Sequence, residues 1–120
     1  MTEPEEFFKP EDAIYTYTSK QAVEDGILFD LDQVQKRYFR NSPFSYTTVA
    51  LLAKGYMTEG KINVPNLVDL IMAAYKMFIK MPRGDRFASG NIELPDGSKQ
   101  EIFIAQNETG RFTIMLPEDY

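Results

Sequence analysis

The chain contains no cysteine and no histidine. Without cysteine there is no disulfide framework, no thiolate nucleophile and no cysteine zinc site. Without histidine the commonest general base and the commonest transition-metal ligand are missing together. No apolar run approaches the roughly 20 residues needed to cross a bilayer. The opening Met1-Thr2-Glu3-Pro4-Glu5-Glu6 is acidic where a signal peptide would be basic, so the sequence predicts a cytoplasmic protein with no membrane partner. The glycines fall into neither of the common phosphate-cradling patterns.

What is present fits one domain. At 120 residues, with 43% hydrophobic and 26% charged side chains, the chain can bury one modest core and lies in the ordinary globular range. Residues 1–12, rich in Glu and Pro, read as a loose acidic segment on which Phe7 and Phe8 could act as an apolar clasp, and residues 13–120 as a single domain. The net charge of −5 is unevenly distributed. From Val34 to Arg86 nine basic residues stand against three acidic ones, about +6, which leaves −11 on the two flanks.

Three alternating runs, Ile92 to Leu94, Glu101 to Gln106 and Arg111 to Leu116, are separated by Pro95-Asp96-Gly97 and by Asn107-Glu108-Thr109-Gly110. This is the pattern of an antiparallel meander. It places Ile92, Leu94, Ile102, Ile104, Phe112, Ile114 and Leu116 on one face. Ile14 to Tyr17 reads as a short strand able to join that sheet. A brief helix should begin at Thr18 or Ser19, without a full capping box from Ser19, and stop at Gly26. Asp30 and Gln33 suggest a capping box for a second helix carrying Leu31, Val34, Tyr38 and Phe39 on one face, with Lys36, Arg37 and Arg40 toward its end. Ser45 or Thr47 is expected to open a third, with Val49, Leu52 and Tyr56 in a stripe. Leu67, Leu70, Ile71, Ala74 and Phe78 follow Pro65 at the spacing of a long amphipathic helix. The expected fold class is therefore α+β: about three helices on a small antiparallel sheet.

Candidate sites are few. Glu24, Asp25, Asp30 and Asp32 form the densest acidic cluster, but they lack the spacing of a calcium loop, and capping with surface solvation is the favoured reading. Lys36-Arg37-Tyr38-Phe39-Arg40 interleaves cations with rings, as single-strand nucleic-acid surfaces do. Helical spacing would turn Tyr38 into the core, which favours packing over contact. The sixteen Tyr and Phe side chains are mostly core material, and any exposed beside Met57, Met77 or Met81 would mark a protein-binding patch. Arg83-Gly84-Asp85 and Asn107-Glu108-Thr109 are read as turns.

The run Ile14 to Gly26, with its tyrosine, hydroxyl residue, Gln21-Ala22-Val23 and Asp25-Gly26, resembles the opening of an uncharacterised family of small bacterial, plasmid-borne and phage-borne proteins. Phe112-Thr113-Ile114-Met115-Leu116-Pro117-Glu118-Asp119 is similar to that family's close. The resemblance brackets residues 14–119 and implies no activity. Its matching polar positions are Tyr17, Gln21 and Asp25, with Gly26 as a turn. Gln21 and Asp25 are expected to tie the first helix to the sheet, and the trio is otherwise the best ligand-contact candidate.

The expected function is that of a non-enzymatic, macromolecule-binding accessory protein of a mobile element or its bacterial host, with an anti-defence role as a special case. An unknown protein is the favoured partner. Nucleic-acid binding through residues 34–86, with contacts from Lys36, Arg37 and Arg40, is the first alternative. A small magnesium-dependent enzyme using Asp25, Asp30 and Asp32 is the second. No cofactor or metal is expected, and the choice between monomer and homodimer stays open.

Overall fold

The computed structural model of the chain describes residues 18–120. The expected strand at Ile14–Tyr17, the clasp at Phe7 and Phe8, the segment 1–12 and the candidate Tyr17 lie outside the described residues. The fold is α+β. Its order is α1 (Ser19–Glu24), β1 (Leu28–Asp30), α2 (Asp32–Gln35), β2 (Phe44–Thr48), α3 (Val49–Leu52), β3 (Met57–Thr58), β4 (Lys61–Ile62), α4 (Val64–Lys80), β5 (Phe87–Glu93), β6 (Lys99–Gln106), β7 (Phe112–Met115) and a closing 3-10 turn, Pro117–Asp119. Five strands form one sheet in the order β1-β2-β7-β6-β5, and β3 and β4 form a separate hairpin.

The meander is present as expected, with β5 beginning earlier, at Phe87, and running antiparallel to β6 from Phe87↔Ala105 to Glu93↔Lys99. The sheet as a whole is mixed, not purely antiparallel, because β2 lies parallel to β7. Phe44-Ser45-Tyr46-Thr47-Thr48, expected to open a helix, is instead this strand. Aromatic and hydroxyl-bearing β-branched residues suit a pleated surface. The helix start is displaced to Thr48, whose hydroxyl caps α3 by accepting the Leu51 amide at 3.3 Å.

The alternation of β5 to β7 buries Ile92, Ile102, Ile104, Phe112 and Ile114, with Leu94 and Leu116 just past the strand ends. Against them pack Leu67, Leu70, Ile71 and Ala74 of α4, and Phe78 is partly buried beside them. Asn63 caps that helix by accepting the Asn66 amide at 3.1 Å, and Pro65 sits in its first turn. Where α4 meets β5, a Cβ on Gly90 would lie 3.2 Å from the sulfur of Met77, so the missing side chain lets helix and strand approach closely. No described helix is long and apolar enough to cross a membrane.

Two further expectations change. The helix expected from Asp30 to beyond Tyr38 is a single turn. Asp30 ends β1 and accepts the Asp32 amide at 2.9 Å, Gln33 is exposed, and the N-cap position falls to Leu31, which makes no side-chain cap bond. The chain then turns through Asn41 in the left-handed region, φ 54°, and Tyr38 faces outward. The first helix does have a full capping box, built on Thr18 and not Ser19. Thr18 Oγ1 accepts the Gln21 amide at 3.2 Å and Gln21 Oε1 accepts the Thr18 amide at 2.9 Å.

Candidate functional site

Of the first candidate set, Gln21 and Asp25 lie among the described residues. Gln21 is exposed, and its side chain closes the helix cap. Asp25 is the C-cap residue, donating its amide to Gln21 O at 2.9 Å. Gly26, at φ 77°, donates to Val23 O, and Ile27 donates to Ala22 O at 2.9 Å. These bonds are a Schellman stop, which requires a residue tolerant of positive φ. Thus the Gln-Ala-Val-x-Asp-Gly stretch encodes one capped helical turn. A tie from α1 toward the sheet is made by Ser19: Glu108, in the turn between β6 and β7, accepts the Ser19 amide at 2.8 Å and the Ser19 hydroxyl at 2.9 Å. Burial alone would raise the Glu108 carboxyl, but the bonds from Ser19 and from its own amide outweigh it and hold it below 4.5.

The second set, Lys36, Arg37 and Arg40, is exposed along one segment, with Tyr38 exposed between them. This segment leads into two clefts that share Phe39, Asn41 and Ser42 as a common wall. On one side of the wall Asp32 and Arg111 form a two-pronged ion pair, both contacts 2.9 Å. Arg111 also donates from Nε to Ser42 O at 3.2 Å and from NH2 to Phe44 O at 2.8 Å. Arg111, just before β7, therefore pins the wall to the sheet by side-chain bonds, beside the main-chain bond from the Phe112 amide to Pro43 O at 2.8 Å. The Arg111 bond, foremost, holds the Asp32 carboxyl below its ordinary 3.8; burial opposes it, and Gln35 and Lys36 add to it.

Gln35, only 2% exposed, lies beneath this pair. Its Nε2 donates to Asp32 Oδ1 at 2.9 Å and to Phe44 O at 2.7 Å, which fixes the amide orientation and leaves Oε1 without a partner among the described residues. Both acceptors keep Arg111 as a second donor. A Gln35→Met substitution is therefore expected to change stability by no more than about 1 kcal/mol, since relief of an orphaned acceptor offsets two lost bonds. Urea unfolding checks this: a loss above about 2 kcal/mol would mean that Oε1 is partnered in solution.

On the other side of the wall lies a cleft of about 380 Å³ between Phe39–Phe44 and α4, with Ile71, Met72 and Tyr75 on the helix side and Arg40 and Lys76 as its cations. It continues an apolar stripe along α4: Met72, Tyr75 and Ile79 are 50%, 47% and 61% exposed, and Val68 precedes them at the same spacing. Met57, Met77 and Met81, beside which exposed rings would have marked a patch, are partly buried against the core. Among the described methionines the exposed one is Met72. The stripe was readable in the sequence as spacings of four, three and four, but it lies beside the stronger buried stripe of the same helix.

Among the described residues no three carboxylates come together as metal ligands. Comparison of the chain with protein-family models, with curated proteins and with solved structures finds no match.

Proposed function

We propose that this protein is a non-enzymatic binding module whose partner is another protein, engaged through the cleft and stripe on α4. The observation that carries this reading is the exposed row Met72, Tyr75 and Ile79, continuous with the cleft under the wall. Large apolar side chains grouped in this way, with cations at the rim, are the features of a protein interface. The lack of histidine and cysteine, and the engagement of Asp32 with Arg111, support a non-enzymatic role. The family resemblance would make the partner a protein of a mobile element or its host, with a defence component as the special case.

A photo-crosslinking side chain placed at position 75, with Ser89 on the exposed part of β5 as the control position, tests the reading. The expected result is a discrete protein adduct from position 75 that native chain competes away and an Ile79→Ser chain does not. Equal labelling from both positions would remove it.

A second reading is favoured by one observation, the outward Tyr38 among Lys36, Arg37 and Arg40. Exposed rings between cations suit single-stranded nucleic acid. That reading requires affinity that falls steeply with salt and weakens on Arg37→Ala or Arg40→Ala. Binding unaffected by salt or by either substitution would dismiss it.

A further inference from the structure

We infer that the occupant of the α4 cleft and stripe is an amphipathic helix of the partner, with apolar residues on one face and acidic residues flanking them. The inference rests on the protein-binding reading and specifies what that partner presents. Val68, Met72, Tyr75 and Ile79 follow one another at the alternating four and three spacing of a helix-packing seam. At ~100° per residue this seam is centred roughly 120° round α4 from its buried face. A helix thus lies between two apolar faces, one filled by the sheet and one open.

From position 68 to 79 the seam is about 16 Å long, so about three turns of a partner helix would cover it. The wall at Phe39–Phe44 forms one side of the groove, and Arg111 holds that wall in place before any partner arrives. Preorganisation of this kind lowers the entropy cost of binding.

Charge selects the occupant. Arg40 and Lys76 line the cleft, and Lys80 follows Lys76 one turn later on the same side of the helix. Asp69 is the one acidic residue of α4. A second copy of this chain laid parallel would bring these cations together across the seam, and laid antiparallel would set one Asp69 against Lys76, Lys80 and Arg40, so cations outnumber carboxylates either way. A nucleic acid would satisfy the cations but leave Met72, Tyr75 and Ile79 uncovered. A partner helix with Glu or Asp beside an apolar stripe satisfies both features.

The test uses two synthetic helical peptides of roughly 14 residues with the same Leu and Phe stripe, one flanked by Glu and one by Lys. Their affinities for the full chain are read by fluorescence anisotropy, and the contact surface by amide chemical shifts. The Glu-flanked peptide is expected to bind about tenfold more tightly at low salt, with a preference that shrinks as salt rises. Lys76→Glu should reverse the preference. Tyr75→Ser, a substitution at an exposed position, should weaken both peptides about fivefold or more. Equal affinities that Tyr75→Ser still weakens would overturn the acidic partner while the protein-binding reading stands. Shifts away from α4 and the wall, or no binding by either peptide, would overturn both. Self-association abolished by Ile79→Ser would make a second copy the occupant, and salt-dependent oligonucleotide binding at the same residues a nucleic acid; each overturns the inference.

Discussion

Phe44→Ala is expected to cost about 3–5 kcal/mol of folding stability, the range for removing a buried aromatic ring. That is a large part of the roughly 6–18 kcal/mol expected for a chain of this length. Phe44 is fully buried at the start of β2, and its ring meets Phe78 of α4 edge-on at 6.0 Å. Phe78 in turn meets Phe112, the register partner of Phe44 on β7, at 5.4 Å. Three rings thus join the only parallel seam among the described strands to the helix that covers it. The main chain at Phe44 is held independently, through the carbonyl that accepts both Gln35 and Arg111. The site therefore collapses little when the ring is removed, and a cavity remains. Equilibrium urea unfolding measures the loss. Had the segment opened a helix, Phe44 would precede that helix and its removal would cost about 1 kcal/mol or less; a loss that small would contradict the parallel seam.

The elements readable from sequence are those whose signals are local. Pro95-Asp96-Gly97 and the Asn107 to Gly110 turn lie between runs of period two, so β5 to β7 follow from neighbouring residues. Likewise Asn63, Pro65 and the spacing of Leu67, Leu70, Ile71, Ala74 and Phe78 define α4 without outside help. The strand β2 is different, because its partner β7 lies more than sixty residues away, and its hydroxyl residues resemble helix caps when read alone. One of them, Thr48, is a cap. The others are fixed by distant groups: Thr47 donates to Ile114 O at 3.0 Å, and Ser45 accepts from Asn107 at 2.8 Å.

The same division holds for the candidate site. Lys36, Arg37 and Arg40 are exposed, as charged residues in a row should be, but nothing local brings Arg40 to the same cleft as Lys76. The spacing of Leu31, Val34 and Tyr38 continues a helical pattern that would face Tyr38 inward. The regular helix stops at Gln35, and the turns that follow, with the Tyr38 and Phe39 amides both donating to Gln35 O at 2.9 and 2.7 Å, leave Tyr38 on the outside. Asp32, Gln35 and Arg111 could be recognised as a unit only with the tertiary fold in hand. Arg111 is 79 residues from Asp32.

That unit is where the second large effect is expected. Arg111→Met should destabilise the protein by about 2 kcal/mol, since it removes charge-assisted bonds to Asp32 and to two main-chain carbonyls. The figure is kept well below that of a fully buried pair because the Arg111 and Asp32 side chains are 35% and 36% exposed and solvent screens them. A second substitution, Asp32→Asn, should add much less in the Arg111→Met background than alone. The acid limb of stability provides an independent check. Asp32 and Glu108 have folded-state values below their ordinary 3.8 and 4.5, so the unfolded chain binds protons first as pH falls. Their contribution is complete above those ordinary values and is lost as pH falls through the lower folded ones. Removing Arg111, the main cause at Asp32, should flatten the part of that loss that begins near 3.8, while the Glu108 part, beginning near 4.5, remains. Urea midpoints measured from pH 6 downward distinguish the cases. Parallel acid limbs for native and Arg111→Met chains would show that Arg111 does not control the Asp32 proton. The substitution should also weaken peptide binding at the α4 cleft, on the far side of the wall. Arg111 does not line that cleft, so an effect there would arise through Ser42 and Phe44, whose carbonyls it holds. Loss of affinity with the α4 stripe intact would make the pinned wall part of the binding surface; unchanged affinity would leave the stripe alone as the anchor.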